Sequence, residues 1–441
     1  MAAAAIAWSY FAFGAVYQWA APPLLVLSLS ALTLARAWPR PRRLTDAAAL
    51  AALAIVALQL VPVPPALQDL VSPAARAFRA EILLRAEPAA WAPLSLDPAH
   101  TRVSLMLAAS ALALFLVVRD TAATHGRALA GWIAWMALLA SGLGMGTAKL
   151  FPNGKVYGFW TPLEHGAAPF GAIINRNHFA AWALVAIGIV TGALAAHVTR
   201  QAARATARRR LVAVLSDART VWLLFSPMLL AASIVMTASR AAFAGMVAAS
   251  AGALVLTRSR ARARSLALFG LVATACVIAA LTWSRPDRLV ARVGSAGSGL
   301  GPRATIWQQT AAIAARYPVA GVGVGAFPAA MSVYQEAPRT SFFNHAHNQY
   351  LELAAEGGAL LSAGLLLFAW AVARQTARGL AADQGSFFWL RAGAGAALIG
   401  IAVLSIWESP FRTPATLMIT AVAAGLAASE SGNVKRKTSV A

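Results

Sequence analysis

Residues 220–237, TVWLLFSPMLLAASIVMT, are followed by Ala238, Ser239 and Arg240, then by residues 241–257, AAFAGMVAASAGALVLT, and then by RSRARAR at 258–264. Two apolar runs, each near the length that crosses a hydrocarbon core of roughly 30 Å, are joined by three residues. The second run closes on Arg258, Arg260, Arg262 and Arg264. A tight turn on one face and a basic anchor on the other describe a membrane hairpin.

The same alternation extends over the whole chain of 441 residues. Apolar spans are expected at 2–15, 19–35, 46–62, 101–118, 129–148, 177–196, 220–237, 241–257, 265–283, 351–373, 391–408 and 413–428. The first two are short and read equally as one bent unit. Hydrophobic residues make up 59% of the chain and charged residues 12%, with mean hydropathy +0.65, more apolar surface than a soluble fold can hide. The fold class expected is an all-α polytopic membrane protein of about twelve helices. It forms a single integral membrane domain, 1–441, with one large outer loop at 284–350 and a short tail at 429–441.

The net charge of +22 raises nucleic acid as a partner, but the basic residues sit in short runs between apolar spans, as topology requires. No nucleic-acid partner is expected. Cys276, the only cysteine, lies in an apolar run, so neither an intrachain disulfide nor a cysteine metal site can form. No Lys or Arg precedes Arg36, so the basic start of a cleaved signal peptide is missing and the first span is expected to remain as an anchor.

Every basic cluster follows an even-numbered span: Arg36 to Arg43, Arg119 and Arg127, Arg200 to Arg219, Arg258 to Arg264, Arg374 and Arg378, and Lys435 to Lys437. Even-side loops hold 22 of the 37 Lys/Arg and 5 of the 15 Asp/Glu; odd-side loops hold the other 15 and 10. Positive-inside bias then places both termini in the cytoplasm and 63–100, 149–176, 238–240, 284–350 and 409–412 outside. The parity does not depend on where each span ends.

The outer loop opens on a Gly/Ser-rich turn at 294–301. Residues 303–316 then read as an amphipathic helix, with Ile306, Trp307, Thr310 and Ile313 at helical spacing, ended by Pro318 and the run Gly321 to Gly325. The densest polar block follows at 344–358, NHAHNQYLELAAEGG, at the mouth of the tenth span. A helix starting near His345 puts His345, Asn348, Glu352 and Glu356 on one face and His347 on another. The plain reading is a helix start capped by Asn344. Two His, two Asn and two Glu entering a membrane go beyond it, because ionisable groups at that depth are costly and mark function.

Other polar groups lie on the same outer side. Arg240 sits in the turn between spans seven and eight, and for a lone Arg snorkelling to headgroups is the better reading. Arg303 begins the loop helix, where a solvated face explains it. Asn175, Arg176, Asn177 and His178 open the sixth span, and capping explains one Asn but not the quartet. Several Arg near His, without aligned carboxylates, suit an anionic ligand such as a phosphate or diphosphate. The run Gly321 to Gly325 has no βαβ unit around it and is no dinucleotide fingerprint. His345, His347 and Glu356 could nominally hold zinc, but a further ligand at suitable spacing is missing. Asp97, Glu164, Asp287 and Glu336 are scattered, unlike the paired carboxylates of a metal-dependent glycosyltransferase.

The block His345 to Gly358 resembles the signature of the O-antigen ligase and polymerase superfamily. So do Thr237 to Arg240, Pro302 to Trp307, and Tyr317 to Phe327, in that order and on one side of the membrane. The resemblance is clearest over about 170–360. It implies a twelve-helix glycosyltransferase of GT-C-like architecture in the bacterial inner membrane, with a periplasmic active site and short helices in the large loop. The implied donor is a glycan on undecaprenyl diphosphate, the acceptor a glycan or lipid A-core, and the product a lipopolysaccharide or exopolysaccharide. By the same resemblance His347 matches the family's essential His, and Arg240 and Arg303 match its diphosphate arginines. The quartet at 175–178 resembles a block of exopolysaccharide-type members.

The expected mechanism has Arg240 and Arg303 neutralising the leaving diphosphate while His347 orients or deprotonates the acceptor hydroxyl. Asn348, His345 or Glu356 would fix the His347 ring, and Arg176, Asn177 and His178 would contact substrate. The donor is already activated, so neither nucleotide, metal nor other cofactor is called for. Membrane lipids surround the domain. Protein O-oligosaccharyl transfer is a further enzyme reading. A polysaccharide flippase is a non-enzymatic one, disfavoured because the span centres are nearly uncharged.

Overall fold

The computed structural model describes residues 1–40, 43–83, 91–151, 154–163, 166–204, 214, 216–260, 300–336 and 342–430. Cys276, Glu164, the ninth span at 265–283 and the turn segment at 294–299 lie outside the described residues. The described helices are α1 (Ala2–Phe11), α2 (Ala21–Ala35), α3 (Leu44–Leu58), α4 (Pro65–Val71), α5 (Pro73–Leu83), α6 (Pro98–Leu150), α7 (Arg176–Arg204) and α8 (Ala218–Thr237). They continue with α9 (Arg240–Thr257), α10 (Leu300–Arg316), α11 (Phe327–Tyr334), α12 (Gln349–Ala382), α13 (Phe387–Leu404) and α14 (Pro414–Ala427). One antiparallel pair of two-residue strands, Pro62–Val63 with Ala92–Pro93, closes the α4–α5 excursion.

Among the described residues seven helices are long and apolar enough to cross a membrane: Gln18–Ala35, α6, α7, α8, α9, α12 and α13, with α1, α3 and α14 as shorter apolar helices. The chain is an all-α polytopic membrane protein. The fourth and fifth expected spans prove to be one helical segment, α6, of 53 residues. A straight helix would hold His100 and Gly144 about 66 Å apart. Contacts forbid this: His100 bonds Gln18, nearby Gly14 packs on Ile173, and Gly171 lies on Gly144. The segment therefore folds back around residues 119–127. That stretch has no proline, so helical hydrogen bonding persists through the bend.

Buried α7 forms the centre, with Phe179, Trp182, Val185, Ile189 and Val190 fully enclosed. It packs against α6, α8, α13 and α14. At its crossing with α13, a Cβ on Gly188 would stand 2.7 Å from the Gly393 carbonyl, so small residues let the two backbones touch. One end of the bundle is basic. There Arg119 pairs with buried Asp46 and with Asp120 (2.9 Å), Arg391 with Asp383 (2.7 Å), and Arg43 with Glu430 (2.6 Å).

At the opposite end α12 is broken: Gly358 has φ +60° and ψ −164° inside it. The peptide groups freed by the break are taken up by the strap 318–323. Ala359 N donates to Pro318 O (2.8 Å), Val322 N to Ala355 O (2.9 Å) and Gly323 N to Glu356 O (3.0 Å). Irregular backbone at such depth persists only where protein satisfies it. Gly321 (φ +70°) lies so close that a Cβ there would run into the Glu356 carbonyl. The loop helix expected at 303–316 begins at Leu300 and ends at Arg316.

Two readings of the polar block need correction. Its helix begins at Gln349, not near His345, because Asn348 Oδ1 accepts from Tyr350 N and Leu351 N, both at 3.0 Å. Asn348, rather than Asn344, is the cap. His345 and His347 precede the helix, so the four-residue face starting at His345 does not exist.

Candidate active site

The segment before α12 is held extended by the loop helix and by α12 itself. Trp307 Nε1 donates to Ala346 O (3.0 Å), and Ala346 N donates to Glu352 Oε2 (2.9 Å). His347 then adopts φ +48°, a left-handed conformation uncommon for a residue with a side chain. That turn aims its ring at the connection between α13 and α14.

The connection supplies Glu408, which is buried. Its Oε2 accepts from His347 Nδ1 at 3.2 Å, and its Oε1 accepts from Asn177 Nδ2 at 2.9 Å and Arg303 Nη2 at 3.3 Å. Burial pushes the Glu408 carboxyl up; the His347 hydrogen bond and charge, aided by His178 and Arg303, outweigh it and leave the group below its usual range. His347 and Arg303 remain partly open, with 36% and 27% of their side chains exposed, whereas the carboxylate between them is closed off. A carboxylate on Nδ1 fixes an imidazole with Nε2 directed elsewhere, the arrangement of a positioned general base.

A second group sits beside it. Arg412 is ion-paired through Nε with Glu352 and through Nη2 with Glu356 at 2.5 Å. Ser409 Oγ donates to Glu352 Oε2 (2.5 Å), and Gly325 N and Phe327 N donate to Glu356 Oε1 at 3.0 and 3.1 Å. Burial opposes the Arg412 charge, but its two carboxylates prevail and hold the guanidinium more firmly protonated than usual. His345 lies between the two groups, its ring 6.4 Å from those of both His178 and His347. Burial, then the Arg412 charge, push the His345 imidazole down to about 3, and among the described residues its buried Nδ1 has no partner. His178 Nδ1 meets Thr413 Oγ1 at 2.6 Å.

The sequence-derived residues therefore divide. His347, Arg303 and Asn177 converge on Glu408. His345 and His178 line the same neighbourhood. Asn348 caps the helix and does not touch the His347 ring, and Glu356 serves Arg412 and the strap instead of fixing that ring. Arg176 opens α7, with its N–H on Ala168 O at 2.8 Å. Arg240 is exposed at the start of α9. Gly395 meets Leu256, Gly400 meets Ala249 and Gly245 meets Leu404, so the two helices run antiparallel and Arg240 lies level with the turn carrying Glu408. Among the described residues no hydrogen bond or ion pair joins Arg240 to His347 or Arg303.

Glu408 and Arg412 went unread in the sequence. Both lie at the join of two apolar runs, where Glu408 passed as the last residue of a span and Arg412 as part of a four-residue outer loop. The cost of burying ionisable groups, applied there as it was to Glu352, would have found them. Among the described residues no three His, Cys, Asp or Glu side chains gather to hold a metal ion. His345 and His347 face at 87°, and Glu356 is committed to Arg412.

Residues 225–369 match the family model described as O-antigen ligase. Over that stretch the chain is similar to the O-antigen ligase family. The activity of that family is glycosyl transfer at a membrane, with a lipid-linked glycan and an acceptor as partners. The match contains Arg240, Arg303, His345, His347, Asn348, Glu352 and Glu356. It does not reach Asn177, His178, Glu408 or Arg412. A comparison with curated proteins finds no match.

Proposed function

We propose that this protein moves a glycan from an undecaprenyl-diphosphate carrier to an acceptor hydroxyl on a second glycan or on lipid A-core. The reaction takes place on the periplasmic side of the bacterial inner membrane. The observation that carries the reading is the shared carboxylate: His347 and Arg303 meet on buried Glu408 while each keeps part of its side chain open. The topology belongs to the reading as well: twelve spans, both termini cytoplasmic, the Glu408 end periplasmic. The charge parity of the loops supports it.

With Nδ1–H donated to Glu408, His347 Nε2 carries a lone pair and takes the proton of the acceptor hydroxyl. The acceptor oxygen forms a bond to the anomeric carbon as the bond from that carbon to the diphosphate oxygen breaks, inverting the centre. The electron pair leaves with the diphosphate. Arg303, with one nitrogen on Glu408 and other donors to spare, and Arg240, exposed at the same level, neutralise that charge. Glu408 steadies the imidazolium that forms. No step calls on a metal or a nucleotide.

The test is transfer in vitro from a purified lipid-diphosphate-linked glycan, with wild type and His347→Ala in detergent. The expected result is loss of product with folding and donor binding retained. Undiminished product from His347→Ala would remove the residue from the chemistry. Donor movement across proteoliposomes without any new glycosidic bond would favour a flippase over an enzyme.

A further inference from the structure

The basic end of the bundle holds a cluster that the proposed chemistry does not use. Arg127 lies past the fold-back of α6, Arg200 in the last turns of α7, and Arg219 at the start of α8. With His197 they line a cleft. Nineteen residues of α7 separate His178 from His197, so this cleft is about 28 Å from the Glu408 site.

Elsewhere at this end Arg43, Arg119 and Arg391 each pair with an Asp or Glu. Among the described residues no carboxylate pairs with Arg127, Arg200 or Arg219. Asp217, which lies nearby, is already committed. It accepts from His197 Nε2 (2.6 Å) and from Thr220 N (2.8 Å) and Oγ1 (3.0 Å) as the cap of α8, and the His197 bond leads in drawing its carboxyl down to about 2. Among the described residues two buried nitrogens are left without partners, His197 Nδ1 and Arg200 Nε, and His197 itself is only 8% exposed. A solvated basic face, which would satisfy positive-inside topology by itself, spreads its charges into water. Here three guanidinium groups line one cleft with unmatched buried donors.

We propose that Arg127, Arg200, Arg219 and His197 form a binding site for a phosphate group, at the end of the bundle opposite the Glu408 site. The planar forks of three arginines suit the tetrahedral oxygens of a phosphate, mono- or diester, better than a single carboxylate. The enclosed part of the cleft is about the size of one water, so it takes one phosphate oxygen, with the rest of the group at the mouth. An anionic phospholipid headgroup at the membrane surface and free inorganic phosphate share this chemistry.

The experiment is thermal melting of the full-length protein in a phosphate-free maltoside detergent, with and without added phosphatidylglycerol, and separately in titrations of inorganic phosphate. Wild type should melt higher with phosphatidylglycerol, with phosphate, or with both. Arg200→Gln should lose that rise and weaken apparent anion affinity at least tenfold. Without any phosphate-bearing ligand, Arg200→Gln should melt as high as wild type or higher, because the substitution separates like charges. Arg219→Gln, on the exposed rim, is the second variant and should reduce the rise. Arg374→Gln, exposed outside the cleft, should leave it intact. A rise with the lipid alone identifies a headgroup as the source, and a rise with phosphate alone identifies the soluble ion. If neither raises the wild-type melting point, or if the rise survives in both cleft variants, the site does not exist.

Discussion

Replacing Glu408 by Gln keeps the size of the side chain and an oxygen for His347 Nδ1, but removes the charge. In the proposed reaction His347 gains a proton as the acceptor attacks, so its attraction to Glu408 is strongest at the transition state. With Nδ1 and Oε2 3.2 Å apart, the charge centres are near 4 Å, and Coulomb's law at an effective dielectric of 20 gives about 4 kcal/mol. Two features reduce this. Arg303 already shares the carboxylate, and 36% of the His347 side chain is open to screening. A loss of about 2–3 kcal/mol in transition-state stabilisation remains, or roughly 30- to 150-fold in kcat. Glu408→Gln also relieves Arg303 of its counter-ion, so donor KM should hold or fall. The assay is initial-rate transfer in detergent, varying the lipid-linked donor at saturating acceptor and comparing kcat and KM with Glu408→Asp, which restores charge. A kcat within twofold of wild type, or a higher donor KM with kcat unchanged, would refute the positioning role of Glu408.

Arg303→Ala should raise donor KM more than acceptor KM; acceptor titration showing the larger change would assign the residue to the wrong substrate. Arg412→Leu leaves Glu352 and Glu356 buried without their cation, a break that costs about 3–5 kcal/mol, and should sharply lower the melting temperature, with Glu352→Gln in the same chain restoring part of it. His345, whose folded value near 3 lies below the unfolded 6.5, favours the native state fully above pH 6.5. That contribution fades as pH falls from about 6.5 towards 3, because the unfolded chain binds a proton that the native site refuses, at up to about 1.4 kcal/mol per pH unit. Melting curves from pH 7 to pH 5 should therefore fall more steeply for wild type than for His345→Gln. Gly358→Ala strains a φ of +60° and drives a methyl into the Val319 carbonyl, so it should lower both melting temperature and yield; wild-type stability in that variant would mean the break is not needed.

What the sequence made legible follows from which signals are local. Apolar length and the basic flanks depend on neighbours in the chain, and each expected span in the described residues coincides with a helix. The α6 fold-back was read as a loop because Arg119, Asp120, His125 and Arg127 are polar, yet nothing there breaks a helix. The start of α12 was misplaced because Asn344 and Asn348 are both good caps, and only the bonds to Tyr350 N and Leu351 N decide between them. In the site, His347 stood out within the polar block, whereas Arg303, which a solvated face explains, was singled out by the family resemblance. Their common carboxylate did not stand out, because Glu408 is 105 residues from Arg303 and meets it only when α13 and α14 pack. The run Gly321 to Gly325 was read correctly as a stop. Its use as a strap across Gly358 depends on a partner segment that no local pattern names.

Because Glu408 and Arg412 arrive on the turn after α13, grafting the large loop alone between relatives would carry His347 and Arg303 without the acids and base they are matched to. A chimera built to change acceptor choice should move residues 300–358 and 405–413 together, or keep both from one parent. The two pieces are a single inherited unit, although more than 40 residues of membrane helix and connection divide them.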